Sequence, residues 1–101
     1  MSFFSIGVAF GSADEVSEKL NDARIGEAAM VASSGYNQGM PEWTLWGEVS
    51  ERSRANRSWS LIATDASGEK IAEAMTENKL APSCAIVATG IDGKWHLWGL
   101  K

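Results

Sequence analysis

The sequence predicts an α+β domain. Two tandem βαββ units, about residues 3–49 and 58–101, are joined by an Arg-rich loop at 50–57. Their six strands are expected to form one mostly antiparallel sheet, with both helices on one face. Two observations carry this reading. First, Phe4 to Gly35 aligns without a gap on Trp59 to Gly90, a shift of 55, with apolar positions and charge signs matched over most of the unit. Second, four of the five tryptophans stand in two copies of one pentapeptide, Trp43-Thr44-Leu45-Trp46-Gly47 and Trp95-His96-Leu97-Trp98-Gly99, at a shift of 52. The three-residue difference falls in a turn, where length varies most readily. A repeat read this way sets the fold before any single element does.

The elements follow in order. "FFSIGVAF" alternates Phe4, Ile6, Val8 and Phe10 with smaller residues, the period of two of a strand. Ser12 followed by Glu15 reads as a capping box, Val16, Leu20 and Ala23 recur at helical spacing, and Gly26 is the expected left-handed stop. "EAAMVASSG" is a short apolar strand, "YNQGMPE" a turn and "WTLWGEVS" a closing strand. The second copy runs "SWSLIAT", a helix from Gly68 to Lys79 after Ser67, "SCAIVAT", a tight turn at Asp92-Gly93 and "KWHLWGLK".

Residues i and i+3 of a strand point to opposite faces, so each pentapeptide divides its tryptophans. Trp43, Leu45 and Gly47, like Trp95, Leu97 and Gly99, form the natural core set. Trp46 and Trp98 fall with Thr44, Glu48 and His96 on the face expected to lack helices. Exposed there, a symmetric pair of indoles marks an interface or a ligand site. Trp59, in the place of Phe4, reads as core, and Cys84 as a small buried residue without a neighbour to activate it.

With 101 residues, 45% hydrophobic and 22% charged, the chain suits one domain. No run approaches the ~18 apolar residues of a membrane span, the N-terminus lacks a signal-peptide pattern, and the lone Cys84 fits a reducing compartment. The expectation is a cytoplasmic protein. A net charge of −4 makes general nucleic-acid binding an unfavourable reading. Three of the four arginines, Arg52, Arg54 and Arg57, nevertheless cluster in the joint "SERSRANRS".

No catalytic motif is present. His96 is the only histidine, so neither a transition-metal site nor a serine triad with a nucleophile elbow can be assembled around it, and no cofactor is implied. The helical carboxylates read as solvated faces. The tandem arrangement resembles, in architecture alone, the paired βαβββ modules of vicinal-oxygen-chelate proteins, with one strand fewer per module and no set of metal ligands. No residue is carried over from that family.

The expected function is a non-enzymatic binding protein of inhibitor or adaptor type. Trp46, Trp98, His96, Arg52, Arg54 and Arg57 would contact a protein partner or a second copy of the chain, Trp and Arg being frequent interface hot spots. The alternative is a protein that sequesters or senses a planar anion such as a nucleotide, indoles stacking on the base and guanidiniums pairing the phosphate.

Overall fold

The structure, a computed structural model, describes residues 4–101, with Phe4 described by its backbone. The expected start of the first unit at residue 3 lies outside the described residues. Each half folds as strand, helix, strand, strand. β1 (Phe4–Phe10) leads into α1 (Ala13–Asp22), β2 (Met30–Asn37) and β3 (Met40–Gly47). After a short helix α2 (Glu51–Arg54) come β4 (Trp59–Asp65), α3 (Gly68–Glu77), a 3-10 turn (Pro82–Cys84), β5 (Ala85–Thr89) and β6 (Trp95–Leu100). The joint is therefore partly helical rather than a plain loop, with Ser50 capping α2 by accepting from the Ser53 N–H at 3.1 Å.

The described strands form two three-stranded antiparallel sheets, ordered β1-β3-β2 and β4-β6-β5, which corrects the expected single six-stranded sheet. The reason is local. Gln38 and Gly39, at φ 54° and 80°, make a two-residue turn that folds β3 straight back on β2. β3 then fills the gap beside β1, and the closing strand has a partner on each side. β6 does the same between β4 and β5. β2 and β5 become edge strands that lie near one another without a ladder. Just before them, Ala28 N–H donates to the Ser83 carbonyl at 2.6 Å.

Each helix covers the face of its own sheet that carries the pentapeptide leucine, and Leu45 and Leu97 are fully buried. The closing glycine of each motif makes this approach possible. A Cβ on Gly47 would stand 2.6 Å from Ile25 Cγ2, and one on Gly99 2.9 Å from Leu80 Cδ2. Ile25 and Leu80 each follow a helix whose exit residue is left-handed, Arg24 at φ 56° and Lys79 at φ 53°. The left-handed stop is thus Arg24, not Gly26, which packs against Ser50 and Ser53 with no room for a side chain. Ser12 does occupy the N-cap of α1, but without the side-chain bond of a capping box.

α1 and α3 do not share one face, because α1 is buried on two sides. The second sheet packs on it with the face that α3 leaves free. Trp98 Nε1 donates to the Ala13 carbonyl at 2.8 Å and Trp59 Nε1 to the Ile25 carbonyl at 2.9 Å. Asn21 serves the free edge of β4, accepting from Trp59 N–H at 2.7 Å and donating to Trp59 C=O at 2.8 Å. A side-chain amide so placed satisfies backbone groups that an edge strand otherwise exposes. The layers run first sheet, α1, second sheet, α3, with a shared core of Val16, Leu20, Trp43, Leu45, Trp59, Ile86 and Trp98.

β1 and β4 each carry a bulge at an isoleucine, Ile6 and Ile62. Gly7, at φ 110°, accommodates the first. Past a bulge the facing of every residue is inverted. Ala9 therefore turns inward, while Val8 and Phe10 reach the other face, and Phe10 is 40% exposed.

Candidate functional site

The two motif tryptophans expected on an open surface have opposite fates. Trp46 is half-buried on the helix-free face of the first sheet. Trp98, its counterpart, is 0% exposed because α1 lies on it, so it offers no contact surface. Trp95, expected in the core, is 38% exposed at the start of β6. The facing inferred from the motif holds for both strands; burial differs because each unit's helix-free face meets a different neighbour.

Around Trp46 the first sheet presents an apolar surface. Met30 stands directly opposite Trp46 across the ladder, and Ala32 opposite Thr44. Met30 is 52% exposed, and Ala32 is exposed beside it. A groove of about 580 Å³ joins Met30, Ala32 and Trp46 to Ile86 and Val87 of β5. Polar groups bound the patch, including a hydroxyl pair, Thr44 Oγ1 to Ser34 Oγ at 3.0 Å. Met30 was not singled out from the sequence. The pairing of an alternating apolar strand with the Trp46 strand was the signal available.

His96 is 6% exposed and belongs to the junction of the units rather than to an open face. Its Nδ1 lies 2.9 Å from the Thr64 hydroxyl and its Nε2 3.5 Å from Asp92 Oδ1. The ring packs edge-on to Trp43, with centroids 5.5 Å apart, and Trp43 in turn lies edge-on to Trp98 at 5.6 Å. Gly90 permits the arrangement: a Cβ there would lie 2.8 Å from His96 Nε2 and 2.9 Å from Asp92 Oδ1. Asp92 is held below the usual carboxylate range, first by the Lys94 backbone N–H it accepts at 3.0 Å and then by nearby His96. A cleft of about 290 Å³ lined by Ser12, Asp14, Tyr36, Thr64 and Asp92 opens beside the ring. The 3.5 Å contact is too long for a firm hydrogen bond, and the imidazole is gripped by two indoles. Thr64 and Asp92 had no sequence motif to announce them; only the cross-strand register and the hairpin bring them to His96.

Arg54 and Arg57 stay together, each donating to the other's carbonyl. Arg57 binds Glu27 Oε2 at 2.9 Å, Cys84 Sγ at 3.2 Å, and the Ser53 carbonyl. Ser83 Oγ donates to the other Glu27 oxygen at 2.8 Å. Glu27 is held below its ordinary range by its hydrogen bonds with Arg57 and Ser83, and Arg57 is raised chiefly by Glu27. This cluster ties the joint to both units. Arg54 donates to the Arg57 carbonyl at 3.2 Å and reaches Asn21. Arg52 alone is exposed. Arg54 and Arg57 line one cleft at the joint together with Arg24, and Arg52 is not among its lining residues.

Among the described residues no group of three or more His, Cys, Asp or Glu side chains gathers as a metal site, and no helix is long and apolar enough to cross a membrane. No protein-family model, curated protein or solved structure matches the chain.

Proposed function

We propose that the chain is a non-enzymatic protein-binding domain of the cytoplasm, and that its contact surface is the helix-free face of the first sheet around Trp46, Met30 and Ala32. One observation carries the reading: Trp98, Ile86 and Ala88 on the equivalent face of the second sheet are buried in the shared core, whereas Met30 and Ala32 beside Trp46 are exposed. An exposed apolar sheet face centred on a tryptophan has the composition of an interface core. Tandem duplication of a βαββ unit underlies the arrangement. It is supported by the common strand order, the matched bulges, the left-handed exits at Arg24 and Lys79, and the two glycines under Ile25 and Leu80.

The anionic-ligand reading is weaker, because in the cleft lined by Arg24, Arg54 and Arg57 two of the guanidiniums are already paired, Arg57 with Glu27 and Arg24 with Glu51. The test is site-specific photocrosslinking in the host cell. A photoreactive residue at Met30 is expected to yield a discrete protein adduct, lost when Trp46 is changed to Glu, and one at Lys94, in the remote hairpin, is not. Equal adducts from both positions, or none from Met30, would overturn the assignment.

A further inference from the structure

His96 is 6% exposed, yet only one of its two ring nitrogens is hydrogen-bonded among the described residues. Nδ1 meets the Thr64 hydroxyl at 2.9 Å, whereas Nε2 lies 3.5 Å from Asp92 Oδ1 and has no nearer polar partner. A polar atom on so buried a side chain calls for a partner. A proton on Nε2 would draw the acceptor-only carboxylate to about 2.7–2.9 Å. At 3.5 Å the two atoms stand as a pair of acceptors, and one donor nitrogen about 2.9 Å from each would satisfy both. Gly90 leaves the approach to this pair open, since a Cβ there would lie 2.8 Å from Nε2 and 2.9 Å from Asp92 Oδ1. His96 and Asp92 both line the cleft of about 290 Å³ beside the ring, and no lysine or arginine does. Asp14 stands on its α1 side, where with Glu15 it offsets the positive end of the helix. Pro41, Leu61 and Ile91 add apolar wall. Among the described residues no third carboxylate, imidazole or thiol joins His96 and Asp92, which are too few ligands for zinc or calcium.

We propose that this cleft binds a small primary amine in its ammonium form. The ammonium donates to both His96 Nε2 and Asp92 Oδ1, the Nδ1–H of the ring donates to Thr64, and the carbon chain lies along Pro41, Leu61 and Ile91. An ammonium suits the place because it is a compact charge with three donors that can serve two converging acceptors at once. The site is separate from the Trp46 face and stands whether or not that face takes a protein.

Because His96 is the only histidine, NMR of the imidazole nitrogens in the full chain reads this site without ambiguity. The probe is n-butylammonium chloride, titrated at constant ionic strength and at a pH where the spectrum shows a neutral ring. Tetramethylammonium, of equal charge but without N–H donors, is the control. Butylammonium is expected to shift Nε2 saturably, and more than Nδ1, while tetramethylammonium leaves both in place. Asp92→Asn, which keeps an acceptor for the Lys94 N–H, is expected to weaken the response at least about tenfold. Gly90→Ala fills the approach and is expected to abolish it, with circular dichroism checking that both variants fold. A ring that carries its proton on Nε2 and does not respond overturns the proposal. So does an equal response to tetramethylammonium, or one that Asp92→Asn leaves unchanged. A tighter response to Nα-acetyl-lysine methylamide overturns the free amine as ligand, since the lysine side chain of a protein would then be the better fit.

Discussion

Truncating the two equivalent motif tryptophans should separate core from surface. Trp98 is 0% exposed and lies against α1, Trp43 and His96. An indole buries about 150–250 Å², which at roughly 25 cal/mol per Å² is about 4–6 kcal/mol. Measured core Trp→Ala changes of about 3–5 kcal/mol are in the same range. A domain of this size has about 5–15 kcal/mol in total, so Trp98→Ala removes roughly a fifth of it or more. Trp46 is half-buried on an open face where water fills the vacated space without leaving a sealed cavity, so Trp46→Ala should cost no more than about 2 kcal/mol. Urea unfolding followed by far-UV circular dichroism is the assay, since the substitutions themselves alter fluorescence. It should run at low protein concentration to keep self-association out of the comparison. With a slope of about 1.5 kcal/mol per molar urea, the two midpoints should differ by more than about 1 M. Losses equal to within about 1 kcal/mol would refute the asymmetric stacking of the two units.

Gly47→Ala and Gly99→Ala should each destabilise by about 1–3 kcal/mol, because the added methyl meets Ile25 or Leu80 well inside contact distance. Combining Gly47→Ala with Ile25→Ala should cost less than the sum of the two single changes, as read from a double-mutant cycle; strict additivity would mean that the two side chains do not oppose each other. Glu27 gives a pH dependence with a definite sign. Its carboxyl titrates below the ordinary 4.5 when folded because Arg57 and Ser83 hold the ionised form. Its contribution is complete above the unfolded pKa and disappears as pH falls through the lower folded value. Glu27→Gln should therefore be less stable than wild type at neutral pH, and the gap should close in that acid window, measured as melting temperature against pH. A gap that stays constant down to strongly acid pH would show that the pair does not act through ionisation.

The strand, helix, strand, strand order of each half was legible because it resides in binary pattern and in one unusual motif. Both helices, the facing of Leu45 and Leu97 and the burial of Trp59 and Cys84 could be read from spacing alone. What spacing could not supply was the partner of each face. Whether Trp46 or Trp98 is covered depends on where α1 is sandwiched, and that contact spans 85 positions, from Ala13 to Trp98. The first strands also escaped, for a reason of register. Their alignment at 55 follows the helices, but in the ladders Gly7 and Ala63 both stand opposite the motif leucine, a shift of 56. A bulge is one extra residue, and no composition signal marked Ile6 or Ile62 as that residue. The His96 cluster and the Arg57–Glu27–Ser83 tie were hidden likewise, since both join residues from separate elements.

Units stacked in one sense always leave one sheet face and one helix face unmatched, however many there are, and arrays normally manage this by making the terminal faces polar. Here the substitution is selective. Moving from the covered second sheet to the open first one along equivalent ladder positions, Leu61 becomes Ser5, His96 becomes Thr44 and Leu100 becomes Glu48. Trp98, Ile86 and Ala88 become Trp46, Met30 and Ala32, and stay apolar. On the open face, hydroxyls and a carboxylate surround the tryptophan and the methionine opposite it. An apolar centre within a polar rim is how a surface that must be soluble alone and still associate is built. That division, more than the exposure of any one residue, favours a surface kept for binding over a simple end cap.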